Sequence, residues 1–317
     1  MKIKSLNRPA MGTVQQLMDD PGLYGLEIDT LDNGSTSIDA GVRARGGYEA
    51  GRLIGKICMG GLGEVEIGVS NASSIETPAT IVRTDHPVEA CILSQLAGWS
   101  IKKGKFRAMG SGPARALAKT EKLFKEFPFE DPHREAVIIL ESSKFPTEEA
   151  SGFIADRCDV NPKDLYMITT PTSSLSGTVQ VCARVVETGM HKMHTMGDDL
   201  EQVIAGSGSC PVPPISNDDL VMMGRTNDAM LYGGNARYIF KDGTSVAPRI
   251  NEVPSSSSPD YGKPFEQLFK EAGFDFYKLD PGLFSPAVVA VNDRSSGVTF
   301  TAGAHNRHVL DKSFGLG

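Results

Sequence analysis

Short β-like runs alternate with helix-like runs along most of this 317-residue chain, and that alternation restricts the fold more than any other feature of the sequence. The clearest buried strand is 135–141. A helical pattern over 147–158 and a strand over 165–169 follow it. Thr147 is a suitable N-cap for that helix, and Glu149 lies in its first turn. The pattern predicts an α/β protein.

The remaining elements and the division into domains follow from the same pattern. Further strands are predicted at 34–42, 63–69, 80–83, 287–291 and 298–301, and further helices at 86–97, 114–119, 178–194 and 264–272. At roughly 150 residues per domain, the length suggests two domains. The segment 127–132 interrupts the pattern, which predicts domains of 1–130 and 131–317. A domain built from both ends of the chain is the alternative.

Charge and cysteine content narrow the class of protein. Lys and Arg number 32 against 39 Asp and Glu, a net charge of −7, which argues against a nucleic-acid binder or an anionic membrane surface as partner and favours a small-molecule ligand. No apolar run approaches the length of a membrane span, and no signal peptide is apparent. The odd number of widely spaced cysteines fits a reducing cytoplasm, with Cys91 and Cys182 as core residues.

One face of the helix predicted at 178–194 carries several acid–base groups. At about 100° per residue, Arg184, Glu187, His191 and His194 form a polar stripe. A solvated face with a weak Arg184–Glu187 ion pair is the interpretation that the pattern alone favours. The other is an acid/base carboxylate tuned by a guanidinium. The two histidines have the spacing of half a metal site, but the sequence offers no third ligand at a recognisable spacing.

Four segments rich in small residues are candidate ligand sites. Segment 170–177, which contains Ser173, lies between a strand and a helix, where free N–H groups accept anions or carbonyl oxygens. Segments 110–115 and 206–214 are glycine-rich, and each is either an anion-binding turn or a tight turn that needs positive φ. Segment 223–234 has donors and acceptors between glycines, which suits either a heterocycle edge or a helix cap.

Several motifs, in order from about residue 30 to the end of the chain, resemble those of methenyltetrahydromethanopterin cyclohydrolase. They are Thr84-Asp85-His86-Pro87, Gly110–Leu117, Gly177–Thr188, Cys210-Pro211, Thr226-Asn227-Asp228 and Asp260–Phe265. The resemblance implies reversible hydrolysis of 5,10-methenyl-tetrahydromethanopterin to the 5-formyl derivative in one-carbon metabolism, methanogenesis included. It also implies two α/β domains with the active-site cleft between them, a homotrimer, and no metal or redox cofactor.

The resemblance further assigns roles to individual residues. Glu187 matches the family's catalytic glutamate within an R-x-x-E segment, and Arg184 is expected to hold and tune its carboxylate. The substrate's tail ends in a phosphate and carboxylates, for which the turn at 110–115 is the expected contact. The pterin ring needs a paired donor and acceptor. The expected substrate-binding residues are Asp85, Gly110, Ser111, Gly112, Arg115, Ser173, Asn227 and Asp228.

Two alternatives from other classes stay open at this point. A non-catalytic pterin-binding protein of the same fold would bind the methenyl compound without turning it over, and the Arg184/Glu187 pair argues against it. A metal-dependent hydrolase would use His191, His194 and a carboxylate, and the missing third ligand argues against that.

Overall fold

The computed structural model describes residues 3–316. Its strands are β1 (Glu27–Thr30), β2 (Thr36–Asp39), β3 (Gly63–Ser70), β4 (Thr77–Thr84), β5 (Trp99–Lys103), β6 (Phe106–Ser111), β7 (Ala136–Glu141), β8 (Leu165–Thr169), β9 (Val203–Pro211), β10 (Asn235–Phe240), β11 (Val288–Asp293) and β12 (Thr299–Gly303). Its α-helices are α1 (Asn7–Asp19), α2 (Tyr48–Cys58), α3 (Ala114–Ala118), α4 (Leu123–Glu126), α5 (Glu148–Cys158), α6 (Leu175–Cys182), α7 (Val185–Thr195), α8 (Asp219–Gly233), α9 (Phe265–Glu271) and α10 (Arg307–Phe314). A π-helix spans Val88–Gln95, and 3-10 helices span Pro162–Asp164, Leu200–Gln202, Ala247–Glu252, Ser255–Ser257, Phe276–Lys278 and Pro281–Leu283.

The chain forms two compact α/β units, and both are discontinuous in sequence. Unit 1 comprises Met1–Gly63 and Glu89–Gln180, and unit 2 comprises Glu64–Val88 and Val181–Gly317. The predicted division at residue 130 differs from this grouping, since residue 130 lies inside unit 1. The physical reason is strand pairing, because β7 forms hydrogen bonds with β6 on one side and β8 on the other. A cut at residue 130 separates strands of one sheet.

Unit 1 has a six-stranded mixed sheet in the order β1-β2-β8-β7-β6-β5, with β2, β8 and β7 parallel at its centre. Strand β7 is apolar and buried from Ala136 to Leu140, as is typical of a strand that is covered on both faces. Val137 and Ile139 join the core that includes residues of α1 and α2. Ile138 and Leu140 join the core that includes residues of α5. The predicted N-cap of α5 is confirmed, since the Thr147 side chain accepts the N–H of Ala150.

Unit 2 has a second six-stranded mixed sheet in the order β12-β11-β10-β9-β4-β3. Burial alternates along β10 and β11, so that Tyr238 and Phe240 are buried whereas Arg237 is exposed. Helices α7 and α8 both contact β9. The covered face of this sheet therefore supports the helix that carries most of the predicted acid–base groups.

The structure confirms the predicted strands at 63–69, 80–83 and 165–169, and it changes two predicted helices. The helix predicted at 178–194 is two helices, α6 and α7, which begin earlier and break at Ala183-Arg184. The helix predicted at 86–97 is largely a π-helix. The N–H of Leu96 bonds to the carbonyl of Cys91, five residues back, at 2.9 Å.

Two further expectations from the sequence concern the cysteines and membrane-spanning helices. Cys91 and Cys182 are fully buried, as predicted, and the other three cysteines are buried as well, with no disulfide between any of the five. Within residues 3–316, no helix is both long and apolar enough to cross a membrane.

Candidate active site

Arg184 and Glu187 lie in unit 2 at the junction between α6 and α7. The Arg184 N–H bonds to the Val181 carbonyl, three residues back, at 3.0 Å, and this tighter turn interrupts the helix. Arg184 has φ −84° and ψ 6° and is the N-cap of α7. Glu187 then lies in the first turn of α7, where the helix dipole favours a negative charge.

The environment of this pair excludes the solvated-face interpretation. Arg184 is 7% exposed and Glu187 is 4% exposed. His191 and His194, further along the predicted stripe, are half-buried. Burial lowers the pKa of His191, and the neighbouring His194 lowers it further. A buried arginine and a buried glutamate three residues apart at a helix start are typical of a functional site rather than of a surface ion pair.

Two glycines of β9 let α7 approach the sheet closely. A Cβ on Gly206 would lie 2.6 Å from Cγ1 of Val186, and a Cβ on Gly208 would lie 2.8 Å from Cγ1 of Val185. Gly206 and Gly208 lie within a strand. The two interpretations of segment 206–214, an anion-binding turn and a tight turn that needs positive φ, are therefore both wrong for these two residues. Their role is to make room for the first turn of α7, which carries Glu187.

Sequence reasoning missed Tyr238 of β10, which contacts the same turn. Its hydroxyl donates a hydrogen bond of 2.8 Å to the backbone carbonyl of Val186, and the ring is fully buried. The sequence alone does not predict this contact, because a tyrosine in a strand is common in protein cores.

Asp85 and Asn227 are the other predicted site residues of unit 2 that keep some exposure. Asp85 is exposed and directly follows β4. Asn227 is half-buried on α8, and its Nδ2 donates to the carbonyl of Met223 at 2.8 Å. Segment 223–234 is mostly helix α8, so its donors and acceptors point to several sides of a helix rather than together toward one heterocycle edge.

The buried position of the Asp228 side chain does not match its predicted role as a contact to the pterin ring. Its side chain is fully buried, and its two oxygens accept the N–H of Phe265 at 2.9 and 3.1 Å. Phe265 is the first residue of α9, so Asp228 provides an N-terminal cap for that helix from α8. Burial raises the pKa of Asp228 to about 7, although hydrogen bonds from Ser313 and Phe265 oppose the shift.

In the turn at 110–115, which is predicted to bind an anion, the polar side-chain atoms of Arg115 form hydrogen bonds within the protein. Arg115 is fully buried, its Nη1 donates to the carbonyls of Ile92 and Ser94, and its Nε and Nη2 bond the Glu121 carboxylate. All three nitrogens therefore donate within unit 1, which does not fit a contact to a substrate phosphate.

The residues before Arg115 are equally enclosed. Gly110 lies in β6, and Ser111 is 2% exposed. Gly112 has φ 96°, as the tight-turn interpretation predicts, and its N–H bonds to the carbonyl of Ser94 at 2.9 Å. Gly110 and Ser111 therefore end strand β6, and Gly112 leads from that strand toward the short helix α3.

Ser173 lies in unit 1, in the loop between β8 and α6, and is half-buried. Its neighbour Ser174 caps α6, since Ser174 Oγ accepts the N–H of Gly177 at 3.0 Å. This cap starts α6 earlier than the predicted position, Thr178. A Cβ on Gly41, which has φ 149°, would lie 2.2 Å from Cβ of Ser174, so the loop after β2 closely approaches this segment.

Asp39, which sequence reasoning also missed, organises that neighbouring loop. Its carboxylate accepts the backbone N–H groups of residues 41–44 at 2.7–2.9 Å. Burial raises the pKa of Asp39, but the four backbone hydrogen bonds outweigh burial and the pKa is lowered overall. An aspartate directly before a glycine-containing loop is the signal that could have identified it.

The chemistry available at the α6–α7 junction is acid–base chemistry at a carboxylate with a guanidinium nearby. Among residues 3–316, no group of three or more His, Cys, Asp or Glu side chains is placed to hold a metal ion, so His191 and His194 do not belong to such a group. A buried carboxylate three residues after a buried arginine, in an α/β scaffold, is typical of the class of enzymes.

Comparison with known proteins identifies the family. Residues 5–314 match the model of the cyclohydrolase (MCH) family. Methenyltetrahydromethanopterin cyclohydrolase of Methylobacillus flagellatus is 47% identical over 98% of this chain and 95% of its own length. The proteins of that name from Methanococcoides burtonii and Methanocaldococcus jannaschii are 41% and 42% identical, each over 98% of both chains. The chain belongs to this cyclohydrolase family and is a hydrolase.

Proposed function

We propose that this protein hydrolyses 5,10-methenyl-tetrahydromethanopterin to 5-formyl-tetrahydromethanopterin, reversibly, with Glu187 as general acid and base and Arg184 as the residue that positions it. The observation that carries the proposal is the burial of Glu187 in the first turn of α7, three residues after a buried Arg184. Relatives that align over nearly the whole chain carry the name of this activity.

The reaction requires two proton transfers that one carboxyl group can perform. The substrate is a cyclic amidinium cation whose bridging carbon joins N5 and N10. Water adds to that carbon and loses a proton to the Glu187 carboxylate. The bond from the carbon to N10 then breaks, Glu187 returns its proton to N10, and the proton of the added hydroxyl group is released to solvent, which leaves a neutral formyl group on N5. The charge and the atoms balance without a redox partner.

Arg184 has a different part in this proposal, because a guanidinium only donates hydrogen bonds and has no acceptor for the proton of water. A guanidinium stabilises the ionised form of a nearby carboxylate, and burial stabilises the neutral form. A base that must accept a proton from water and later release it needs these effects to be close to balance. The negative carboxylate also attracts the cationic substrate, so part of its contribution is to binding.

The proposed substrate contacts are those predicted residues that keep some exposure. Asp85 and Asn227 offer an acceptor and an amide for the pterin ring, and Ser173 offers a hydroxyl. Arg115 and Asp228 are left out because their polar atoms are occupied within their own units.

We also propose that the protein works without a metal or redox cofactor, as a cytoplasmic homo-oligomer, a trimer by resemblance to the family. The acid–base scheme supports the first part, because water and one carboxyl group account for every bond that forms or breaks. Addition of a chelator is therefore expected to leave the rate unchanged, whereas a hydrolase that uses His191 and His194 as metal ligands would lose activity.

Loss of the methenyl chromophore in the near ultraviolet tests the proposal. The parent protein and Glu187→Gln are each added to methenyl-tetrahydromethanopterin, and the variant is expected to be at least about 100-fold slower, on the scale of general acid–base catalysis. Glu130→Gln is the matched control, because the Glu130 side chain is 92% exposed and lies in unit 1.

Two outcomes would contradict the proposal in different ways. Unchanged turnover by Glu187→Gln would keep the activity and remove the mechanism. Tight binding without turnover by the parent would make the protein a pterin-binding member of the family.

A further inference from the structure

Val186, the residue before Glu187, is held by unit 2 from two directions. Its carbonyl accepts the Tyr238 hydroxyl at 2.8 Å. Its side chain lies over Gly206, where a Cβ would come within 2.6 Å of Val186 Cγ1. Gly206 and Tyr238 are directly opposite each other in the β9–β10 ladder, so both contacts come from one pair of residues in the sheet.

The approach of Tyr238 to α7 depends on a second glycine. A Cβ on Gly189 would lie 2.1 Å from the Tyr238 hydroxyl oxygen and 3.0 Å from the ring carbon Cζ. Gly189 lies within α7, where a glycine costs helix stability relative to alanine. The phenol can reach the Val186 carbonyl only because this position lacks a side chain.

Fixing Val186 fixes the direction of Glu187. Successive residues of a helix are about 100° apart around its axis, so holding one of them sets the rotation of the helix. A glutamate carboxylate lies roughly 6 Å from the axis, so a rotation of about 10° moves it by about 1 Å. A displacement of that size at a reacting group can reduce a rate by about 100-fold.

We infer that Tyr238 is a positioning residue for Glu187, acting through the Val186 carbonyl, and that Gly189 provides the space it needs. This inference rests on the acid–base role proposed for Glu187. Tyr238 has no part in the proton transfers, because its hydroxyl proton is donated to a backbone carbonyl within unit 2.

Four variants and a double variant test this role by their kcat, KM and pH–rate profiles. They are Tyr238→Phe, Gly189→Ala, the combination of the two, and the controls Tyr232→Phe and Gly152→Ala. Tyr232 is a buried tyrosine of α8 whose hydroxyl donates to the Lys263 carbonyl at 2.6 Å, so its loss matches the loss of a buried phenol elsewhere in unit 2. Gly152 lies within α5, and a Cβ there would meet nothing within 4 Å.

The expected result has three parts. Tyr238→Phe lowers kcat by about tenfold or more with KM within about twofold of the parent, since substrate contacts are unchanged. Both controls keep kcat within about twofold, whatever their melting temperatures. Gly189→Ala lowers kcat further than Tyr238→Phe, and adding Tyr238→Phe to it restores part of the loss, because the atom at 2.1 Å has been removed.

Other outcomes would overturn the inference. A parent-like kcat for folded Tyr238→Phe, or a fall in kcat as large in Tyr232→Phe, would reduce Tyr238 to a residue of general stability. A double variant no faster than Gly189→Ala would remove the coupling between the phenol and the helix. Glu187→Gln measured in parallel separates the two proposals. If Glu187→Gln is inactive and Tyr238→Phe has the kcat of the parent, only the positioning role is contradicted. If Glu187→Gln is fully active, both proposals are contradicted.

Discussion

At the scale of single residues, burial decides which predicted groups are available to a ligand. The resemblance and the sequence placed Asp85, Arg115 and Asp228 together as substrate contacts, but only Asp85 is exposed. The other two use their polar atoms inside their own units, Arg115 on Glu121 and two carbonyls, and Asp228 on the start of α9. A sequence motif shows which residue types occur together, but it does not show whether their polar atoms already form hydrogen bonds within the protein.

Asp228 gives the protein a pH-dependent contribution to stability. Its pKa is raised to about 7 by burial, from an ordinary value of 3.8. Between about pH 4 and pH 7 the folded state therefore keeps a proton that the unfolded state has released, so the contribution is present at low pH and is lost as the pH rises to about 7. The full shift corresponds to at most about 4 kcal/mol.

We expect Asp228→Asn to remove this dependence, because an amide does not titrate and still offers an oxygen to the Phe265 N–H. Urea unfolding of parent and variant across pH 4–8 checks the prediction. The free energy of unfolding of the parent should fall relative to that of the variant up to about pH 7 and stay parallel above it. A difference that does not change with pH would contradict the raised pKa.

At the scale of elements, strands covered on both faces were the most predictable. The apolar run of β7 was recognised because helices cover it on both sides, and α5 because Thr147 provides an N-terminal signal. The break between α6 and α7 was missed because it depends on a backbone bond from Arg184 to Val181, which no side-chain periodicity records. The π-helix Val88–Gln95 was missed for the same reason.

The packing of α7 on β9 leads to a prediction for Gly206. Gly206→Ala places a Cβ 2.6 Å from Cγ1 of Val186, and the clash is expected to lower the free energy of unfolding by about 1–3 kcal/mol. Because the helix start must move, kcat is expected to fall as well, and both quantities are measured by urea unfolding and the chromophore assay. Gly12→Ala is the matched control, since a Cβ there meets nothing within 4 Å. Parent-like stability and kcat in Gly206→Ala would show that the helix does not need this glycine.

At the scale of the whole molecule, the chain passes between its two units three times, at residues 63–64, 88–89 and 180–181. The sequence correctly indicated two α/β units by its alternation of strands and helices. The grouping depends on pairings such as β4 with β9 and β2 with β8, which join strands more than 100 residues apart. Local patterns do not contain that information.

The discontinuity predicts the behaviour of fragments. A fragment of residues 1–130 lacks β7 and β8, the central strands of the unit 1 sheet, and also lacks β9, the partner of β4. We expect it to show little native circular dichroism and rapid proteolysis, because its apolar strands have no partners. A cooperative thermal transition in this fragment would contradict the division into units.

The early position of β3 and β4 in the chain also has a consequence for biosynthesis. About 120 residues separate the end of β4 from the start of β9, so at 5–20 residues per second the ribosome needs roughly 6–24 s to supply the partner of β4. During that time the two strands can pair with other nascent chains. Strand β3, at the edge of the sheet, carries the exposed charges of Glu64 and Glu66. Charged side chains on an edge strand oppose such pairing, so we expect these glutamates to limit aggregation of the newly made protein before its sheet is complete.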